Sequence, residues 1–259
     1  MPRADKPRAP KARIEGTYDI DTGTARVAAD PERDGAYVLE VNGVPSSHII
    51  LGAPRVLTFE YMSWVVAAIK SQPAQPQSIV HLGGAACALA RYFADVYPAS
   101  RNTVIELDGK LAAYVREWFD IPASVEIVVA EARSATHALH PRGSDVIIRD
   151  VFAGGTTPPH LVTVEFLQAA YDAAGLYLAN CGAFPGLQST RRELAGMLEV
   201  FAHVAVISEP AILAGEKYGN LVMIGSDSPL PLIDVPAPAA VKYTEWVRDL
   251  VGNARPYRD

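Results

Sequence analysis

The sequence predicts an α/β protein, an open and mostly parallel sheet with helices on its faces, preceded by a smaller β-rich module. Three observations carry this. Beyond residue 77, short apolar runs alternate with longer segments of helical periodicity, the pattern of repeated strand–helix–strand crossovers. Before residue 60 the chain reads as β-rich, with Asn42-Gly43 as a tight-hairpin signal. Between the two lies Ser71-Gln72-Pro73-Ala74-Gln75-Pro76-Gln77, a polar connector punctuated by prolines.

The elements follow in order. Residues 1–13 are basic and proline-rich with no apolar stretch behind them, so they read as a disordered tail and not as a secretory signal. Residues 14–72 make the β-rich module: a strand over 37–41, the Asn42-Gly43 turn, a returning strand over 47–51 and a helix over 59–70. Residues 73–259 make the larger domain. Its strands fall at 79–82, 103–107, 125–129, 145–148, 175–179, 204–208 and 221–224. Its helices run from the Gly83-Gly84 turn to about 96, then over 110–119, 163–174 and 187–201. Right-handed crossovers between such strands build a Rossmann-like sheet. Tyr92, Phe93, Tyr97, Trp118 and Phe119 recur at helical spacing and belong to the core.

Bulk properties exclude several function classes. The 259 residues are 49% hydrophobic, enough to bury a sizeable core. A formal net charge of -6 argues against a nucleic-acid partner, which needs a basic face. No apolar run approaches the length of a membrane span. Cys87 and Cys181 are too few and too far apart for a disulfide framework or a zinc cluster, and a reducing cytoplasm is the simplest compartment. His137 and His140 have the spacing of one helix face, but a metal needs a third ligand and none is near; no metal site is expected. Cys87, at a helix start, is either a thiol of lowered pKa or a small packed residue.

In an open α/β sheet the ligand sits at the carboxyl ends of the strands. The first such loop is Gly83-Gly84-Ala85-Ala86-Cys87-Ala88; small residues admit a ligand to the backbone, and the helix start behind them offers free N–H groups. The second strand ends at Glu106-Leu107-Asp108, where Glu106 is placed to accept hydrogen bonds from ribose hydroxyls. The third ends at Ala130-Glu131-Ala132. Glu131 either accepts from an adenine amino group or is an acid at a helix start favoured by the macrodipole. The fourth ends at Asp150, suited to accept a proton or hold a cation. Gly83, Gly84, Ala85, Glu106, Leu107, Glu131, Ala132 and Asp150 are thus the candidate nucleotide site. His48, on the returning strand, faces the presumed cleft as a substrate contact or a structural hydrogen-bonding group.

Taken together these residues resemble the polyamine aminopropyltransferases, spermidine synthases in particular. The resemblance covers most of residues 35–226: the Asn42-Gly43-Val44 turn, Ser47-His48, Phe59-Glu60-Tyr61, the glycine loop, Glu106, Glu131, Asp150-Val151-Phe152-Ala153-Gly154, Thr157-Pro158 and Tyr218-Gly219-Asn220. It implies a β-hairpin domain on a class I methyltransferase-type sheet, a homodimer, and decarboxylated S-adenosylmethionine as cofactor. It implies transfer of a propylamine group to a diamine such as putrescine, with Glu106 on the ribose, Glu131 on the adenine side, Asp150 as base and Tyr61 near the amine channel.

Three positions depart from the family. Ala86 stands where the glycine loop carries the acid that holds the propyl-ammonium group. Ala153 stands where a second acid follows the catalytic one, and Met62 replaces a glutamine after the equivalent of Tyr61. Each missing charge-assisted hydrogen bond is worth about 1.5–3 kcal/mol. Glu60 and Glu165 are candidates to compensate. Loss of the acid at 86 also removes a repulsion against the carboxylate of ordinary S-adenosylmethionine. Two alternatives therefore stand beside the aminopropyltransferase: a methyltransferase using S-adenosylmethionine, and a non-catalytic protein that keeps the nucleotide cleft.

Overall fold

A computed structural model describes residues 14–259; the tail expected over residues 1–13 lies outside the described residues. The chain opens with four antiparallel strands in sequential order, β1 (Gly16–Ile20), β2 (Gly23–Ala29), β3 (Ala36–Val41) and β4 (Val44–Ile50). Asn42 and Gly43 both adopt positive φ, 53° and 78°, which matches the twist a two-residue hairpin needs. The first hairpin has no comparable signal, and its turn is fixed from outside. Thr22 donates through N and Oγ1 to Asp108 Oδ2 at 2.7 and 2.8 Å.

Helix α1 (Glu60–Lys70) follows and buries Tyr61, Trp64, Val65, Ala68 and Ile69. Full burial of each large apolar side chain here contributes about 1.5–3 kcal/mol. One continuous core joins α1 and the small sheet to one face of the main sheet, from Leu39 and Ile49 through Trp64 to Ile79, Val104 and Ile148.

The main sheet has eight strands in the order β12-β10-β11-β9-β8-β5-β6-β7. β5 (Ser78–Leu82), β6 (Arg101–Glu106), β7 (Val125–Val129), β8 (Ser144–Arg149) and β9 (Ala174–Ala183) are parallel neighbours. They are linked by α2 (Ala88–Val96), α3 (Gly109–Trp118), α4 (Ala132–Ala138) and α5 (Val164–Ala173). The sheet is mostly parallel as expected, and only its other end departs from that. β10 (His203–Ser208), β11 (Gly219–Ser226) and β12 (Ala240–Tyr243) join by antiparallel pairing, so the sheet is mixed. After α6 (Gln188–Val200), the chain between β10 and β11 holds only the four-residue α7 (Pro210–Leu213), too short for a crossover over the sheet. β12 leads into α8 (Thr244–Val251), which packs with α5 and α6 in the second core, on the opposite face.

The chain leaves β5 toward β6 and β7 on one side and toward β8 on the other, so the switch point lies between β5 and β8. Hydrogen bonds just past the strand ends lock the tips laterally: Gly83 N to Ile105 O, Asp150 N to Leu82 O and Ala130 N to Glu106 O, at 2.8–3.0 Å. Among the described residues no helix is long and apolar enough to cross a membrane.

Candidate active site

The loop after β5 is built around two glycines with no room for a side chain. Gly83 has φ 88°, and a Cβ there would lie 2.3 Å from the carbonyl oxygen of Asp150. A Cβ on Gly84 would lie 2.7 Å from Val104 Cγ1. Close packing of adjacent strand tips thus requires both glycines.

The amides of Gly84, Ala85 and Ala86, ahead of the start of α2, are not free. Glu106 Oε2 accepts from Gly84 N and Ala85 N at 3.0 and 3.1 Å, and its Oε1 accepts from Asp108 N at 3.0 Å. Ala86 N donates to Ser47 Oγ on β4 at 3.1 Å. A carboxylate at the tip of the neighbouring strand is the strongest acceptor within reach, so it takes these donors. Glu106→Ala would leave three amides unpaired; we expect unfolding stability to fall by about 1–3 kcal/mol, read by denaturant titration. An unchanged midpoint would contradict this role.

Asp108 is a structural residue. It caps α3 by accepting from Leu111 N at 2.8 Å while its other oxygen holds the β1–β2 turn. Leu107, between the two acids, is 59% exposed, and Val129 at the next strand tip is 57% exposed. These leave apolar surface open beside Glu106.

Glu131 is the N-cap of α4. It accepts from Arg133 N and Ser134 N at 2.8 Å, from Ser134 Oγ at 3.0 Å, and lies 3.1 Å from His160 Nε2. The helix-start reading of this acid is the one its geometry displays, and Ala132 is buried in the turn behind it. These hydrogen bonds outweigh desolvation and bring the carboxyl down from 4.5 to about 2. Because the folded value is the lower one, the stability it contributes is fully present above pH 4.5 and is lost as pH falls toward 2. Glu131→Gln should therefore flatten the acid limb of the melting-temperature profile in that window. A parallel profile would contradict the capping account.

Asp150 sits one residue past β8, between the first turn of α1 and β9. Tyr61, from the first turn of α1, donates its hydroxyl to Asp150 Oδ2 at 2.7 Å. Asn180, on β9, donates Nδ2 to Asp150 Oδ1 at 3.0 Å. Burial pushes the Asp150 carboxyl above its usual range, while the bonds from Tyr61 and Asn180 pull it back down. Burial likewise holds the Tyr61 hydroxyl well above its ordinary value, so it remains a neutral donor. Asn180 Oδ1 is buried and has no hydrogen-bond partner. Because Asp150 fixes the amide's donor end, that orphan is an acceptor beside the carboxylate.

Several sequence expectations place differently. His48 does not face the cleft: its Nε2 lies 3.0 Å from Asp30 Oδ2, and strand alternation sends it to the side opposite Ser47. His137 and His140 do not share a helix face, because α4 ends at Ala138 and Leu139 turns extended. Among the described residues no group of side chains is set to hold a metal. The Cys87 thiol is buried and pushed up to about 12, so it is a packed residue and not a reactive one. Glu165 faces Arg258 and accepts from Asp259 N, away from any role beside Asp150. Asn180 was not anticipated; its signal is a polar residue inside the otherwise apolar run 176–181.

No family model matches the chain. The fold aligns with a probable spermidine synthase from Corynebacterium glutamicum at a TM-score of 0.90, with 44% identity over 96% of this chain and 97% of that one. The chain belongs to the spermidine synthase (polyamine aminopropyltransferase) family. A polyamine aminopropyltransferase of Neisseria meningitidis is 25% identical over 187 residues, 70% of this chain and 68% of that protein. An N-terminal histidine N-methyltransferase of Emericella nidulans is 28% identical over 135 residues, 49% of this chain and only 24% of the fungal protein. The spermidine synthase frame accounts for the small antiparallel sheet standing before a methyltransferase-type sheet, with Asp150 where α1 meets the tips of the main sheet.

Proposed function

We propose that the chain transfers a propylamine group from decarboxylated S-adenosylmethionine to a small diamine such as putrescine, with Asp150 as the base. The observation that carries this is the junction where Tyr61 and Asn180 both donate to Asp150 while leaving Asn180 Oδ1 as a buried, unused acceptor. A carboxylate with a raised pKa and an adjacent acceptor suits a cationic amine that must lose a proton before it attacks.

The residues fit the adenosyl group. Leu107 and Val129 offer apolar surface for a flat base at the tips of β6 and β7. A carboxylate has about four lone-pair positions. The loop amides and Asp108 take three on Glu106, so one ribose hydroxyl finds an open position and a second must displace a loop amide. Glu106→Ala should accordingly also weaken binding of methylthioadenosine by about 1.5–3 kcal/mol. Glu131 enters this reading as the cap that orders the adenine-side edge.

When bound, the cofactor supplies the propylamine carbon activated by its sulfonium. This chain's residues do the rest. Asp150 takes the proton from the acceptor nitrogen, Tyr61 and Asn180 hold the carboxylate in place, and Asn180 Oδ1 accepts a second amine N–H. The acids missing at Ala86 and Ala153 leave amine binding weaker than the family pattern would give. A homodimer working in a reducing cytoplasm completes the proposal.

A methyltransferase is the second reading, favoured by Ala86, which presents no negative charge to the carboxylate of ordinary S-adenosylmethionine. Incubation with each cofactor form and putrescine separates the two. Methylthioadenosine and spermidine are the expected products. S-adenosylhomocysteine with a methylated amine would replace the first reading by the second, and no product from either form would reject both.

A further inference from the structure

On the face of the main sheet opposite Asp150 lies a cavity of about 200 Å³, enclosed by the start of α6, the end of β9, the loop before α5 and Tyr257. The sheet separates it from the Asp150 junction. Asp150 and Asn180 point to the α1 side, whereas Arg149 and Cys181 point to the α5 and α6 side by strand alternation.

The polar chemistry of this cavity is unusual. Glu193, itself 5% exposed, presents a carboxylate to it. Arg149, fully buried, ion-pairs with Glu193 at 2.7 Å and donates to Leu161 O at 2.6 Å. That pairing leaves several lone pairs of the carboxylate unused. Thr157 and Thr190 also line the cavity; the Thr157 hydroxyl is buried with no hydrogen-bond partner, and the buried Thr190 hydroxyl, which faces the Cys181 thiol as its donor, keeps its lone pairs free to accept. The rings of Phe184 and Tyr257 wall the same space, and no lysine or arginine lines it. Native proteins rarely leave several buried polar atoms in one place unpaired, so these groups are set to meet hydrogen-bonding partners. Room for several water-sized groups exceeds the needs of a single bridging water.

We infer that this cavity is a second binding site, for a small aliphatic primary amine. An ammonium group has three N–H donors, matching one carboxylate oxygen and two hydroxyl oxygens. A short alkyl chain would lie against Phe184 and Tyr257; Arg192 already lies over the Tyr257 ring, so the charge is held by the oxygens and not by the rings. The site shares the segment 150–161 with the Asp150 junction but none of the residues that hold Asp150.

Calorimetric titration of the full chain with propylamine, and with propanol as its uncharged counterpart, tests this. Propylamine should bind and propanol should not. Thr190→Val, close in shape, should weaken propylamine about tenfold or more, the loss of a charge-assisted hydrogen bond. Glu193→Gln should weaken it further; should loss of the Arg149 partner unfold the chain, Thr157→Val takes its place. Asp150→Asn should leave this site intact. No binding by the unmodified chain, equal binding of propanol, or unchanged affinity in Thr190→Val would overturn the inference. Binding that is lost in Asp150→Asn and insensitive to Thr190→Val would assign the amine to the Asp150 junction alone and overturn it too. Failure of the Asp150 reading leaves the Thr190-dependent site untouched, so the two are separable.

Discussion

Asp150→Asn should lower turnover by about 10²–10⁴-fold while leaving binding of methylthioadenosine within a factor of about two. The substitution keeps the side chain's shape and removes its capacity to take a proton. Tyr61 and Asn180 would then face an amide, so one of their donors loses its acceptor. The pH profile carries a second signature. Burial raises the Asp150 carboxyl above the ordinary carboxylate range, so the competent, ionised form is lost on acidification earlier than an exposed aspartate would lose it. The acid limb of kcat should therefore lie above the usual carboxylate value and should vanish in the variant. Removing the Tyr61 hydroxyl, as Tyr61→Phe, takes away a bond that favours the ionised carboxylate and should move that limb higher. Steady-state kinetics against pH read both effects. Full activity in Asp150→Asn would remove this residue from the chemistry.

Gly83→Ala should be the most destabilising single change at the strand tips. Its Cβ would meet the Asp150 carbonyl oxygen at 2.3 Å, a backbone atom that cannot rotate away, and φ 88° is strained for any other residue. Overpacking and backbone strain each cost about 1–3 kcal/mol, so a combined loss of about 2–6 kcal/mol is expected. In a chain of this length that corresponds to a melting temperature lower by roughly 4–24 °C. Relief would come from moving the Asp150 backbone, so any folded variant should also show impaired turnover. A melting temperature within a degree of the parent would mean that the two strand tips are not packed as described.

The sequence displayed the order of the elements well because the main sheet obeys local rules. The apolar runs at 79–82 and 146–148 are buried on both faces and cannot be mistaken for exposed segments, while β7, at the sheet edge, was legible from its β-branched residues although Glu126 and Val129 are exposed. Asn42-Gly43 announced its turn because only residues tolerant of positive φ fit there. The hairpin β1–β2 was less legible, since Asp108, more than eighty residues away, fixes its turn. The same distance effect hid the state of the glycine loop. Its amides look free in sequence, and only folding brings Glu106 and Ser47 to them. His48 was misplaced for a simpler reason. Two adjacent strand residues point to opposite faces, and the bond from Ala86 N to Ser47 settles which one turns toward the loop. Asn180 was legible only as a polar residue in apolar company, and Glu193, which ends the polar stretch Gln188-Ser189-Thr190-Arg191-Arg192, gave no sign of its burial; which partner each would meet depended on strand order and on helix packing across the sheet.

Where the nucleoside lies decides the roles of Glu106 and Asp150. A crystal structure of the chain with methylthioadenosine should show the base over Leu107 and Val129, a ribose hydroxyl within hydrogen-bond distance of Glu106, and the sulfur facing Asp150. A nucleoside bound elsewhere, or a Glu106 carboxylate still fully occupied by the loop amides with the sugar out of reach, would contradict it.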